Sequence, residues 1–144
     1  MIEENRRNVQ KFIQLAWNQG AFSLAKPFLD IGFVYQGSFN AELLDSVGFL
    51  EYVRAIREAV ADFNVTVEEM VAENDAVVTY SSITGILGKP LFGFPPSDRV
   101  VSLPVVSIYH LRHGRIRNLT STYDVAAIMN LLGLSLTKAT APAA

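Results

Sequence analysis

The chain opens with a helical repeat. Val9, Phe12, Ile13, Ala16 and Trp17 recur at i, i+3, i+4, i+7 and i+8, one face of a 3.6-residue period. The pattern predicts an amphipathic helix over residues 3–20, closed by Gly20 as its C-terminal cap. A short second helix is expected over 23–29, limited by Pro27. A brief strand over 33–36 follows, bounded by Gly32 and Gly37. Asp45 or Ser46 caps a third helix, whose buried stripe is Phe49, Tyr52, Val53, Ile56 and Val60.

From Phe63 the period changes to two. Residues 63–68 alternate, Asn74-Asp75 makes a turn, and 76–87 forms a long strand. Gly88, Pro90, Gly93, Pro95 and Pro96 mark 88–98 as a loop. Residues 99–112 form the next strand, in which Pro104 predicts a bulge or an edge. His113-Gly114 turns the chain into a last strand over 115–123. Val125, Ile128, Met129 and Leu132 share a face of a closing helix that Gly133 ends. Beyond Leu136 the residues are small, which predicts one domain over 1–136 and a frayed tail over 137–144. Helices first, then a meander of antiparallel strands, then a closing helix make an α+β fold. It is expected as a cone-shaped α+β barrel, with helices packed on a strongly curved mixed or antiparallel sheet that encloses an apolar pocket.

Composition narrows the chemistry. The 144 residues are half apolar and 18% charged, with a net charge of −2, which suits one compact domain. There is no cysteine, so disulfides, thiolate nucleophiles and cysteine-ligated metals are excluded. Two histidines make a zinc site improbable, and no metal is expected. No basic block supports nucleic-acid binding, and no apolar run approaches the roughly 20 residues of a membrane span. Glu3, Glu4, Arg6 and Arg7 are unlike a signal peptide, so a cytoplasmic location is expected.

Several residues are candidates for a site. Ile116, Asn118, Thr120, Thr122 and Asp124 share one face of the last strand by simple alternation. If that face looks into the cone, a carboxylate, an amide and two hydroxyls converge on the pocket. A carboxylate desolvated there can take a proton from beside a carbonyl and return it. Asp124 is equally well placed as the N-cap of the closing helix. Trp17, Phe28, Phe33, Tyr35 and Phe49 either line a site for a flat substrate or form plain core. Tyr35 and Gln36 alternate, so only one of them faces inward. Tyr80, Ser82 and Thr84 share a face of their strand, and Ser107 and Tyr109 alternate with Ile108 and His110. Pro104 leaves the parity of these strands open. His110 is a candidate proton shuttle or a solvated strand residue, whereas His113 belongs to a turn. Asp62 suits a structural turn, and the 88–98 loop is placed to close over a ligand.

Four segments carry a resemblance. Trp17-Asn18-Gln19-Gly20 ends the first helix, and Ala61-Asp62-Phe63 steps into the sheet. Phe92-Gly93-Phe94-Pro95-Pro96-Ser97-Asp98-Arg99 forms a proline-proline loop followed by an arginine. His113-Gly114-Arg115-Ile116, Asp124 and Leu131-Leu132-Gly133 make a final hairpin and closing helix. In this order and spacing the chain resembles the SnoaL-like polyketide cyclases, within the cone-shaped superfamily named after nuclear transport factor two. The resemblance implies an enzyme that closes a ring by an intramolecular aldol reaction without metal or cofactor, and Asp124 matches the family's acid/base aspartate. It also implies a homodimer or higher homo-oligomer formed through the sheet.

The chain departs from the family at Gln36 and Leu87, where relatives carry histidine. It departs again at Thr120 for a tryptophan and at Asn118 for a glutamate. Thr120 should widen the pocket and add a hydroxyl. The expectation is a cofactor-independent cyclase or isomerase of a polyketide-like small molecule. Asp124 is its acid/base and His110 a second proton-transfer candidate, with Trp17, Tyr35, Gln36, Tyr80, Asn118 and Thr120 contacting substrate. The alternatives are an epoxide or lactone hydrolase of the same fold and a non-catalytic binding or dimerisation module.

Overall fold

In the computed structural model, which describes residues 1–37, 40–124 and 126, helices cover one face of a six-stranded mixed sheet. Helix α1 spans Ile2–Ile13 and runs on as a π-helical turn, Gln14–Asn18. Helix α2 is Phe22–Ala25, followed by a 3₁₀ turn at Lys26–Phe28 that contains Pro27. Strand β1 is Leu29–Gly37, β2 Asn40–Leu44, and helix α3 Ser46–Ala59. Strands β3 Val60–Glu73, β4 Ala76–Leu87, β5 Val100–Arg112 and β6 Arg115–Tyr123 complete the sheet.

The second helix is shorter than expected because Pro27 restricts the chain to a single 3₁₀ turn, and extended backbone starts at Leu29. Strand β2 was not anticipated from the sequence pattern. At α3 the alternatives resolve: Asp45 is the cap, its Oδ1 accepting from the Gly48 N–H at 2.8 Å, a contact worth about 1 kcal/mol. Val60, expected on the helix stripe, is instead the first residue of β3. Pro104 pairs with Ser82 of β4 but lies one residue outside the β5–β6 ladder, which begins at Val105 and Tyr123. Its missing N–H therefore falls where β5 is locally an edge. The expected closing helix, apart from helical Ala126, and the expected tail lie outside the described residues.

The strand order is β2-β1-β6-β5-β4-β3, with β1 parallel to β6 and the other pairs antiparallel. Four strand spacings separate β1 from β3, about 19 Å if the sheet were flat. Helix α3 nevertheless touches both strands, so the sheet curls around it. Bulges provide the bend. In β3, Asp62 and Phe63 stand opposite the single residue Gly85, and Asp62 takes a left-handed φ of 54°. Aspartate tolerates that conformation, consistent with a structural turn. A Cβ on Gly85 would sit 2.3 Å from Val60 Cγ1, so only glycine lets the two strands close up there.

The core lies between the helices and the odd-numbered residues of β1, β4 and β5. Val9, Phe12 and Ile13 of α1, with Phe49, Val53 and Ile56 of α3, pack on Phe33, Tyr35, Val77 and Tyr109. Trp17 completes this cluster at the π-helical turn. The last carbonyls of the helix have no partner within it. Arg57 of α3 donates Nη1 to the carbonyls of Trp17 and Asn18. Asn18 exchanges two hydrogen bonds with the Val65 backbone, at 2.9 and 2.8 Å. Trp17 is thus clamped from helix and sheet at once.

Candidate functional site

Strand parity decides which side chains can meet a ligand. On β4, Val77, Thr79 and Ser81 are buried; on β5, Val105, Ser107, Tyr109 and Leu111 are buried. On β6 the alternation breaks. Leu111 pairs with Ile116 but His110 pairs with Asn118, so Arg117 is one residue too many and forms a bulge. Beyond it the inward set is Leu119, Ser121 and Tyr123.

This corrects the inward face expected for the last strand. Asn118 and Thr120 are exposed on the outer face of the sheet, because the bulge shifts every later side chain by one position. Tyr80 and His110 stand on that same outer face and are exposed. Gln36 is exposed as well, since its neighbour Tyr35 takes the inward position and is fully buried. Asp124 follows β6 directly and is exposed, and the desolvated carboxylate expected in the pocket does not appear in this arrangement. Of the expected contacts, Trp17 and Tyr35 are the two that point into the interior.

The interior holds a cavity of about 100 Å³ between α3, the bulged part of β3 and β4, and the 88–99 loop. Its wall is aromatic and aliphatic. Trp17 stacks on Phe63 at 5.7 Å, and Tyr52 stacks on Phe92 at 5.4 Å. Ile83, Leu103 and Tyr123 close the sheet side. The loop provides the roof. Leu91 and Phe94 exchange backbone hydrogen bonds of 3.1 and 2.8 Å around Phe92-Gly93, both of which have positive φ. The loop is tied down at both ends, by Gly88 N–H to the Ala59 carbonyl and Ser97 N–H to the Leu87 carbonyl, each 2.8 Å.

Beside this cavity lies a smaller chamber of about 20 Å³, with Trp17, Ile83 and Tyr123 belonging to the walls of both. Hydroxyls line it: Thr79 and Ser81 from β4, Ser107 and Tyr109 from β5, Ser121 and Tyr123 from β6. Ser107 and Ser121 hydrogen-bond through their Oγ atoms at 2.8 Å. Tyr52, on the wall of the larger cavity, and Tyr35 bring their rings within 5.2 Å of each other. Among the described residues neither hydroxyl finds a partner at full hydrogen-bonding geometry, although both interact with Tyr123.

Burial pushes the Tyr109 hydroxyl well above its ordinary range, with neighbouring Tyr35 adding to the shift and Thr79 and Ser107 opposing it. Tyr52 is raised by burial first and then by Tyr35, against a smaller pull from Tyr123. Tyr123 is raised by burial and by both Tyr52 and Tyr35. All three therefore stay protonated and can donate. Among the residues lining the two spaces there is no carboxylate, imidazole or ammonium. Among the described residues no three His, Asp or Glu side chains come together to hold a metal ion.

The hydroxyl lining escaped the sequence reading. Thr79, Ser81, Ser107 and Ser121 sit at two-residue spacing inside apolar strands. That signal points inward only once strand parity is known.

The profile of the SnoaL-like polyketide cyclase family matches residues 7–132. The chain belongs to this family. No curated protein sequence matches it significantly. Among solved structures, this family member is similar to a protein of Jannaschia sp. CCS1 classed as a SnoaL-like polyketide cyclase. They share 23% identity and a TM-score of 0.80, covering 97% of this chain and 94% of the other. An LEH-like epoxide hydrolase of M. tuberculosis aligns at 22% identity and a TM-score of 0.71, covering 91% and 90%. A Catenulispora acidiphila protein with a ketosteroid isomerase-like fold aligns at 12% identity and a TM-score of 0.73, covering 88% and 93%. The SnoaL-like chain thus shares the ketosteroid isomerase-like α+β architecture, and no helix among its described residues is long and apolar enough to cross a membrane.

Proposed function

We propose that the protein is a cofactor-independent cyclase or isomerase of an apolar, polyketide-like small molecule. The observation that carries this reading is the roofed cavity walled by Trp17, Tyr52, Phe63 and Phe92. A space of that kind selects a flat, largely apolar ligand, and membership of the SnoaL-like family makes ring closure the expected reaction class. Asp124 is the proposed acid/base. It stands one residue past Tyr123, whose ring lines both spaces. Because the carboxylate is exposed, it would act from the end of β6, turning toward a substrate seated in the cavity.

One observation favours a second reading. No carboxylate or imidazole lines the cavity among the described residues, which also suits a module that binds an apolar molecule without transforming it. Asp124→Asn separates the two. Wild type and variant would be assayed on a panel of linear poly-β-ketones, scoring cyclised product of unchanged or dehydrated mass. The enzyme reading expects turnover to fall by roughly 10²–10⁴-fold, with substrate binding altered less than threefold. Wild-type turnover in Asp124→Asn removes the carboxylate from the mechanism. Tight binding by wild type with no turnover on any member supports the binding module.

A further inference from the structure

The chamber beside the main cavity has its own chemistry. Six hydroxyl-bearing residues from three adjacent strands line it: Thr79, Ser81, Ser107, Tyr109, Ser121 and Tyr123. Among the described residues it carries neither a cation to hold an anion nor a carboxylate to hold a cation. Its volume, about 20 Å³, is room for one oxygen-sized guest and little more. The Ser107–Ser121 contact uses one of that pair's two hydroxyl protons, so the other remains to be donated. Tyr109 is fixed in its protonated, donating form by burial. Three residues, Trp17, Ile83 and Tyr123, line both this chamber and the apolar cavity, so the two spaces adjoin.

We propose that the chamber is a subsite for a single uncharged oxygen, a ketone or alcohol, carried by a molecule whose apolar body fills the larger cavity. The inference deepens the small-molecule reading above and rests on it. A neutral carbonyl oxygen accepts from the free serine proton and the tyrosine hydroxyl. A carboxylate entering the same space meets no compensating charge and loses its hydration. The substrate is therefore an apolar ring system with an uncharged oxygen at its deep end.

The protein contains a single tryptophan, and it lines both spaces, so its emission reports occupancy directly. The probes are indane, 2-indanone and indane-2-carboxylate, which share one bicyclic body. The expected result is quenching by all three, with the ketone binding about 3- to 10-fold tighter than the hydrocarbon. The carboxylate should bind more weakly than the ketone by at least about tenfold. Thr79→Val and Ser121→Ala should each shrink the ketone-to-hydrocarbon ratio toward one. Thr122→Val, exposed on the outer face of the same strand as Ser121, should leave it unchanged. A variant that merely loosens the fold weakens both neutral probes alike, and that outcome overturns the assignment. Equal affinity of wild type for ketone and hydrocarbon overturns it too, as does the absence of quenching by all three probes. Failure of the Asp124 mechanism is separable: turnover would survive Asp124→Asn while the probe ratio persists.

Discussion

A tyrosine hydroxyl buried without a partner costs free energy that a phenylalanine at the same place would not. Tyr35 is completely buried and its hydroxyl meets no partner at full hydrogen-bonding geometry among the described residues, so part of the desolvation of that group, roughly 1–3 kcal/mol, goes uncompensated in the free protein. Tyr35→Phe keeps the ring contacts with Phe49 and Tyr52 and removes only the orphan oxygen. The variant should be more stable than wild type by about 1 kcal/mol in urea denaturation. A loss of stability would show that the hydroxyl is satisfied in solution.

At the scale of elements, the 88–99 loop shows how local chemistry serves the cavity at a local cost. Phe92 and Gly93 both have positive φ, 51° and 83°, a turn geometry in which asparagine followed by glycine is the favoured pair. A bulky residue at the first position is strained, yet its ring lies on Tyr52 and roofs the cavity. Phe92→Asn should relieve that strain, leaving thermal stability equal or slightly higher, while uncovering the mouth. Release of 2-indanone, followed by stopped-flow tryptophan emission, should quicken several-fold. Unchanged release would mean that the roof does not hold the ligand.

The same scale shows what was legible in the sequence. The helix faces of α1 and α3, the long strands β4 and β6, the 88–98 loop and the inward Trp17 followed from periodicity and turn residues, which are local properties. Strand β2 and the inward face of β6 did not. The single extra residue Arg117 reverses the parity of everything after it, and nothing in the alternation of residues 115–123 marks it. That bulge turns Asn118 and Thr120 outward, whereas for Gln36, Tyr80 and His110 alternation leaves the side open and the neighbouring residue takes the inward position. Bulges are fixed by the pairing of distant strands, so the side of the sheet on which a hydroxyl stands is a tertiary fact.

For the molecule as a whole, the buried phenols couple folding to alkaline pH. Tyr52, Tyr109 and Tyr123 all have their ionisation raised above the ordinary value of 10.0, chiefly by burial. In the unfolded chain they lose protons from about pH 10 upward, whereas the folded chain keeps them. Above that pH the folded state binds more protons, so unfolding becomes easier as pH rises. The contribution is fully present below pH 10 and is lost progressively beyond it. Each group adds a slope of about 1.4 kcal/mol per pH unit, or about 4 for the three together. Against the roughly 5–15 kcal/mol of a domain this size, two or three pH units suffice to unfold the protein. The tyrosinate absorbance of these three should therefore appear with the loss of tertiary signal and not before it, and Tyr109→Phe should lower the slope by about a third. Tyrosinate signal from all five tyrosines in a still-folded protein would mean that the hydroxyl cluster is open to water, and the neutral-oxygen subsite would lose its physical basis with it.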